Sequence, residues 1–257
     1  MSSVSANLVE VFWSAQGEGP FVGFPTVFVR FGGCDLRCRW CDSPHTWRPS
    51  ESARIQDPGG GEDQILQNPV EIEVILEAVT ALGPRPGDFV SLTGGEPLLQ
   101  SEAVVAVARA MRSRGLRIHL ETHGLAVEPL RSLAGLLDVI SMDWKAADDV
   151  RVATKGVYGE FAAHHRDFLA QAVELAPSVY VKLVVSERTT EDEIDAVCSV
   201  LKQTAPETTL VLQPVTPTGP VRSAVGAEQL LGWLKRGRSQ LSDVRLIPQT
   251  HPLMGAR

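Results

Sequence analysis

Apolar residues recur along the chain in six short β-rich runs, at residues 26–31, 89–93, 117–121, 138–142, 179–185 and 209–213. Each has the length of a buried strand. Between most of them, at 70–82, 101–114, 160–176 and 190–204, the apolar positions instead repeat every three to four residues, as on a helix with one buried face. Strand alternating with helix predicts a parallel α/β fold. Asn68-Pro69, a capping side chain ahead of a proline, and Thr190, ahead of three acids, both read as helix starts.

Six strand–helix units are too few to close an eight-stranded barrel. The pattern therefore predicts an open, partial (β/α)6-type barrel, one domain over residues 1–257, with its chemistry at the carboxyl ends of the strands. Residues 50–67 are rich in Gly, Pro and charge and read as an exposed insertion.

Composition narrows the classes. Of 257 residues, 44% are hydrophobic and 21% charged, as in globular chains. No apolar run approaches the roughly 20 residues of a membrane span, and the first residues lack a basic region followed by a long apolar one. A cytoplasmic protein without membrane contact is expected. With 31 acidic against 24 basic residues the formal charge is −7, which opposes attraction to phosphate backbones, so no nucleic-acid partner is expected.

Three of the four cysteines, Cys34, Cys38 and Cys41, fall within eight residues as C-x3-C-x2-C, just after the first strand. By composition alone that coincidence has odds of roughly one in a thousand. Three thiolates leave one position of a tetrahedral zinc unfilled, and no second ligand pair completes it. They suit an iron–sulfur cluster with one iron left open. Cys198 lies in a helical stretch and reads as a buried small apolar residue. Polar residues gather at the later strand ends: Thr93-Gly94-Gly95-Glu96-Pro97, Glu121-Thr122-His123-Gly124, Ser141-Met142-Asp143-Trp144-Lys145, Lys182 and Gln213. The two glycines permit close approach to the backbone, and Glu96 can accept from an ammonium group.

C-x3-C-x2-C after the first strand of a partial barrel resembles the radical S-adenosylmethionine (SAM) superfamily. Within it, residues 12–47 closely resemble the 7-carboxy-7-deazaguanine synthases, through Ser14-x-Gln16-Gly17-Glu18-Gly19 and Phe28-x-Arg30-Phe31-x-Gly33-Cys34-x-Leu36-x-Cys38-x-Trp40-Cys41-Asp42. Further matches are Thr93 to Pro97, Glu121 to Gly124, Ser141 to Lys145, Leu212-Gln213-Pro214 and Ile247-Pro248-Gln249-x-His251.

The resemblance implies conversion of 6-carboxy-5,6,7,8-tetrahydropterin to 7-carboxy-7-deazaguanine with loss of ammonia, on the route to queuosine. It implies a 4Fe-4S cluster on Cys34, Cys38 and Cys41, SAM, and a magnesium ion (Mg2+) on Ser43. SAM would lie against Thr93, Gly94, Gly95, Glu96, Ser141 and Lys145, and the pterin against Gln16, Glu18, Arg30, His123 and Gln213. A homodimer fed by flavodoxin or ferredoxin is further implied. Two positions depart from the family: Ala146-Ala147 follows Lys145 where Pro is frequent, and the tail ends at Arg257. The rival readings are a glycyl-radical activating enzyme, which shares the cysteine spacing, and a zinc-binding interaction module.

Overall fold

The computed structural model describes residues 4–146, 149–153, 158 and 160–255; Ala147 and Arg257 lie outside them. In chain order the first strands are β1 (Ser5–Ala6), β2 (Leu8–Ala15), β3 (Pro25–Phe31), β4 (Leu36–Cys38), β5 (Ser52–Ile55), β6 (Gln64–Gln67) and β7 (Val70–Glu71). They are followed by β8 (Phe89–Gly94), β9 (Arg117–Thr122), β10 (Val139–Trp144), β11 (Val150–Val152), β12 (Ser178–Val185), β13 (Thr209–Pro214) and β14 (Val244–Leu246). The helices are α1 (Ile72–Ala81), α2 (Ser101–Arg112), α3 (Val127–Leu130), α4 (Phe161–Leu175), α5 (Glu191–Thr204), α6 (Ala227–Arg238) and α7 (His251–Met254).

Ten strands form one open sheet in the order β14-β13-β12-β10-β9-β8-β3-β2-β5-β6. From β3 to β14 every neighbouring pair is parallel, whereas β2 runs antiparallel to β3. All six predicted strands are present in one parallel array, and the sheet does not close, so the expected open partial barrel is what forms. Helices cover its outer face, burying Ile75, Val104, Val107, Phe168, Leu169, Val197 and Leu201 against it.

Because side chains alternate across a strand, residues two apart share a face. On the inner face this alternation gives a gradient along each strand. At the strand starts Phe89, Val139, Tyr180 and Val211 pack together with Phe21 and Phe24. Further along the same face come Ser91 and Thr93, His119 and Glu121, Ser141 and Asp143, Lys182, and Gln213. The sheet thus has an aromatic floor at one end and a polar rim at the other.

Some elements differ from the sequence pattern. The stretch 70–82 begins as a two-residue strand, β7, because Val70 and Glu71 pair with Ala6 and Ser5 before α1 starts. Residues 50–67 contain the hairpin β5–β6, which extends the sheet beyond β2 and buries Ala53 and Ile55. Only its tip, residues 58–62, is exposed throughout. Asn68 anchors its base, accepting from the Leu8 N–H (2.8 Å) and donating to the Leu8 carbonyl (2.7 Å). No helix among the described residues is long and apolar enough to cross a membrane.

Candidate active site

A cavity of about 410 Å³ opens at the carboxyl ends of β3, β8, β9, β10, β12 and β13. Its walls include thirteen sequence-predicted residues: Gln16, Glu18, Arg30, Cys34, Cys38, Cys41, Ser43, Thr93, Gly94, Gly95, His123, Lys145 and Gln213. Glu96 and Ser141 are not among them.

The three thiols are free and half-buried along one wall. Their loop is clipped from outside: β4 pairs antiparallel with β11, setting Cys38 opposite Val150 and Leu36 opposite Val152. Inside the loop, the Arg37 guanidinium donates to the carbonyls of Cys34 and Leu36 (2.7 Å each) and stacks over Trp47 at 5.2 Å. Burial pushes the Cys34 thiol up to about 12, opposed by the Leu36 N–H, which donates to Cys34 Sγ at 3.4 Å. Burial also raises Cys38 and Cys41, the latter opposed by the Ser43 N–H.

No three His, Cys, Asp or Glu side chains among the described residues converge tightly enough to hold a single metal ion. Soft thiols spread along one wall, with backbone N–H groups aimed at two of the sulfurs, fit an iron–sulfur cluster.

Gly94 and Gly95 are required by the protein's own backbone. A Cβ on Gly94, whose φ is +131°, would lie 2.1 Å from the Phe31 carbonyl oxygen, and one on Gly95 would lie 2.2 Å from that of Gly33. The turn therefore nests against the end of β3 and the start of the cysteine loop. Two of its hydrogen bonds make the same contact: Gly95 N–H to Phe31 O (3.0 Å) and Glu96 N–H to Gly33 O (2.9 Å).

Glu96 corrects the reading of it as an ammonium acceptor. It is wholly buried, with Oε1 accepting from Leu98 N–H (3.0 Å) and Thr122 Oγ1 (2.9 Å) and Oε2 from His123 N–H (2.9 Å). The exposed-side carboxylate is Glu121, which accepts from Gln16 Nε2 (2.9 Å), Ser91 Oγ (2.8 Å) and Thr93 Oγ1 (2.8 Å) and borders the cavity. Ser141 is likewise buried, beside the Tyr180 hydroxyl on the floor.

A chain of charges crosses the rim. Parallel pairing sets Asp143 of β10 beside Lys182 of β12, and Lys145 follows two residues on. Lys145 Nζ contacts Asp143 Oδ2 at 2.7 Å, Lys182 Nζ contacts Asp143 Oδ1 at 3.1 Å, and Lys182 also pairs with Glu18. Burial alone would raise the Asp143 carboxyl, but the two ammoniums outweigh it and hold it down at about 2. The carboxylates conversely keep both lysines protonated, Lys182 well above its ordinary range despite its burial. Glu18 Oε1 further accepts from Gln213 Nε2 (3.2 Å) and Gln249 Nε2 (2.6 Å).

Gln249 also donates to Asp42 Oδ2 at 2.8 Å, and Ser43 Oγ donates to Asp42 Oδ1 at 3.0 Å, so the cysteine loop and the Glu18 loop are tied together. Arg30 gives its Nε to Glu10 (2.8 Å), lies over the Phe12 ring and lines the cavity. The buried Oε1 of Gln213 has no partner among the described residues. Gln16 and His123 turn inward. Gln16 Nε2 serves Glu121 and its Oε1 accepts from Glu18 N–H (3.1 Å), while both ring nitrogens of His123 have protein partners.

Asp143 and Gln249 were missed as site residues. Asp143 carried a signal, since it lies two residues from Ser141 on β10 and two from Lys145 just beyond it; Gln249 lies beyond β14, after the last predicted strand.

A thiol-walled cavity at the strand ends of an open parallel barrel defines a class, and the model for the radical SAM superfamily matches residues 28–199. The relatives refine it. The chain is 33% identical to the 7-carboxy-7-deazaguanine synthase of Geobacter sulfurreducens over 99% of each chain, and 36% identical to that of Thermococcus kodakarensis over 82% of this chain and 84% of that one. The crystal structure of QueE from Escherichia coli superposes with a TM-score of 0.61 at 22% identity, covering 97% of this chain and 95% of the other. This chain belongs to the 7-carboxy-7-deazaguanine synthase family of radical SAM enzymes. Membership implies a 4Fe-4S cluster and SAM as cofactors.

Proposed function

We propose that this chain converts 6-carboxy-5,6,7,8-tetrahydropterin to 7-carboxy-7-deazaguanine with loss of ammonia. The observation that carries the reading is one cavity with three free thiols on one wall and Glu18, Arg30 and Gln213 on another. When bound, the cluster and SAM supply a carbon radical able to abstract a substrate hydrogen. The protein's part is to bind, orient and exclude water.

Cys34, Cys38 and Cys41 would hold the cluster. Glu121, fixed by three donors, with Thr93 and the nested Gly94-Gly95 turn, would receive the SAM amino group. The two terminal nitrogens of Arg30 suit a bidentate clamp on the substrate carboxylate. A carboxylate has about four lone-pair sites; three of those on Glu18 are taken by Lys182, Gln213 and Gln249, leaving one for a pterin N–H donor. The unpartnered Gln213 oxygen is a second acceptor. Ser43, next to Asp42, offers the hard oxygen that magnesium prefers. The same reading carries a homodimeric cytoplasmic enzyme that draws its electron from flavodoxin or ferredoxin.

The test is anaerobic reconstitution with iron and sulfide, followed by SAM, reductant and the carboxytetrahydropterin. Product of the 7-carboxy-7-deazaguanine mass is expected. Formation of 5′-deoxyadenosine without any ring-contracted product would remove the substrate assignment.

A further inference from the structure

Asp35 lies inside the cysteine arc, one residue after Cys34, and its side chain faces into the protein. Its Oδ1 is 3.0 Å from His123 Nε2, and its Oδ2 accepts from the Tyr158 hydroxyl at 2.6 Å. The tautomer of His123 follows from its other nitrogen. Nδ1 accepts from the Leu125 N–H at 3.1 Å, so the ring proton sits on Nε2 and points at Asp35.

His123 is itself held from behind. Its backbone N–H donates to the wholly buried Glu96, which also accepts from the Thr122 hydroxyl and caps the turn after β8. The Tyr158 ring meets the His123 ring edge-on, at 5.8 Å and 80°. A continuous run of hydrogen bonds therefore links the Glu96 turn, through the end of β9, to the cysteine loop. On the opposite side the loop is held by β11 and by Ala153 N–H donating to the Asp35 carbonyl at 2.7 Å.

We propose that His123 is a positioning residue for the cluster rather than a substrate contact: with Tyr158, it fixes the Asp35 carboxylate and so the arc from Cys34 to Cys38. Both ring nitrogens are occupied by the protein, which leaves the imidazole no free donor or acceptor for a heterocycle although its ring borders the cavity. Among the described residues His123 and Tyr158 are the side chains that anchor the Asp35 carboxylate. Without its two donors a half-buried carboxylate beside the first thiol would turn toward solvent and draw the loop with it. The inference rests on the three cysteines being the cluster ligands.

The experiment compares the wild type with His123→Ala, His123→Gln and Tyr158→Phe. Each is reconstituted anaerobically, and iron and sulfide content, cluster retention against a chelator and the electron paramagnetic resonance spectrum of the reduced cluster are measured without substrate. His123→Ala is expected to weaken retention about tenfold, the lower end of what losing a partner behind a metal ligand costs, and to change the spectrum. His123→Gln, which returns an N–H donor near the Nε2 position, should restore both. Tyr158→Phe, which keeps the ring and loses one hydroxyl, should fall between.

Wild-type retention and spectrum in His123→Ala, with a raised KM for the pterin, would overturn the proposal in favour of a substrate contact. So would a Tyr158→Phe protein indistinguishable from wild type while His123→Gln remained as damaged as His123→Ala. Failure of the wild type itself to take up iron and sulfide would instead remove the cluster reading on which the proposal stands.

Discussion

Lys182 is the residue on which the charge chain turns. Among the described residues it is the one cation shared by Glu18 and Asp143, and its side chain is 8% exposed. Replacing it with methionine keeps the length of the side chain and strands Glu18 without a counter-ion, because Asp143 retains Lys145. Breaking a buried pair in this way costs about 3–5 kcal/mol. A drop of that order in the urea unfolding free energy of metal-free Lys182→Met is expected; an unchanged midpoint would show that Glu18 is solvated enough to need no partner. Gly95 makes a complementary case. Gly95→Ala should destabilise the metal-free protein by about 1–3 kcal/mol, because the new methyl meets the Gly33 carbonyl. A glycine needed only for SAM would leave metal-free stability untouched and weaken SAM binding alone.

At the level of elements, α5 shows how much a local pattern can specify. Thr190 accepts from the Glu193 N–H at 3.2 Å while the Glu193 carboxylate accepts from the Thr190 N–H at 2.8 Å, a reciprocal cap. Thr190→Ala should lower stability by about 1 kcal/mol, read from thermal unfolding. That start, and strands buried on both faces such as β8 and β12, were legible because their signals lie within a few residues, whereas Asn68-Pro69 is not a helix start: Asn68 bonds the Leu8 backbone and α1 begins only at Ile72. The cysteine loop and the Thr93–Pro97 turn were legible for the same reason. The pairing of β4 with β11 was not, since three-residue strands carry no periodicity. The hairpin β5–β6 was hidden by its Gly-rich tip, which dominates the composition around two short, largely polar strands. The burial of Glu96 was not legible because sequence gives a carboxylate's place on a strand end but not which way the turn after it folds. Lys182 facing Asp143 depends on the register between strands some forty residues apart.

For the whole molecule, two buried histidines set the acid limit of the fold. Burial is the first cause for both, lowering His119 to about 4 and His165 to about 3. Both are neutral in the folded chain at neutral pH, and in the unfolded chain they titrate near 6.5. Their contribution is complete above about pH 6.5 and is lost as the pH falls from there, toward about 4 for His119 and about 3 for His165, because only the unfolded chain takes up the protons. Well inside that window each histidine removes about 1.4 kcal/mol per pH unit. Asp143 adds to the loss at lower pH, since its depressed carboxyl stabilises the fold above about 3.8 and ceases to do so as the pH passes down through about 2. Unfolding midpoints in urea should therefore fall between pH 7 and pH 5; a flat profile would mean that both rings take up protons in the native state as readily as in the unfolded chain.

The clip of β11 on β4 orders events in the cell. Ribosomes release Cys38 long before Val150, the residue that faces it, so the nascent thiols emerge with Arg37 and Trp47 in place but without the strand that clips their loop from outside. The complete thiol loop therefore requires that synthesis has passed the middle of the chain, because its outer strand is encoded there.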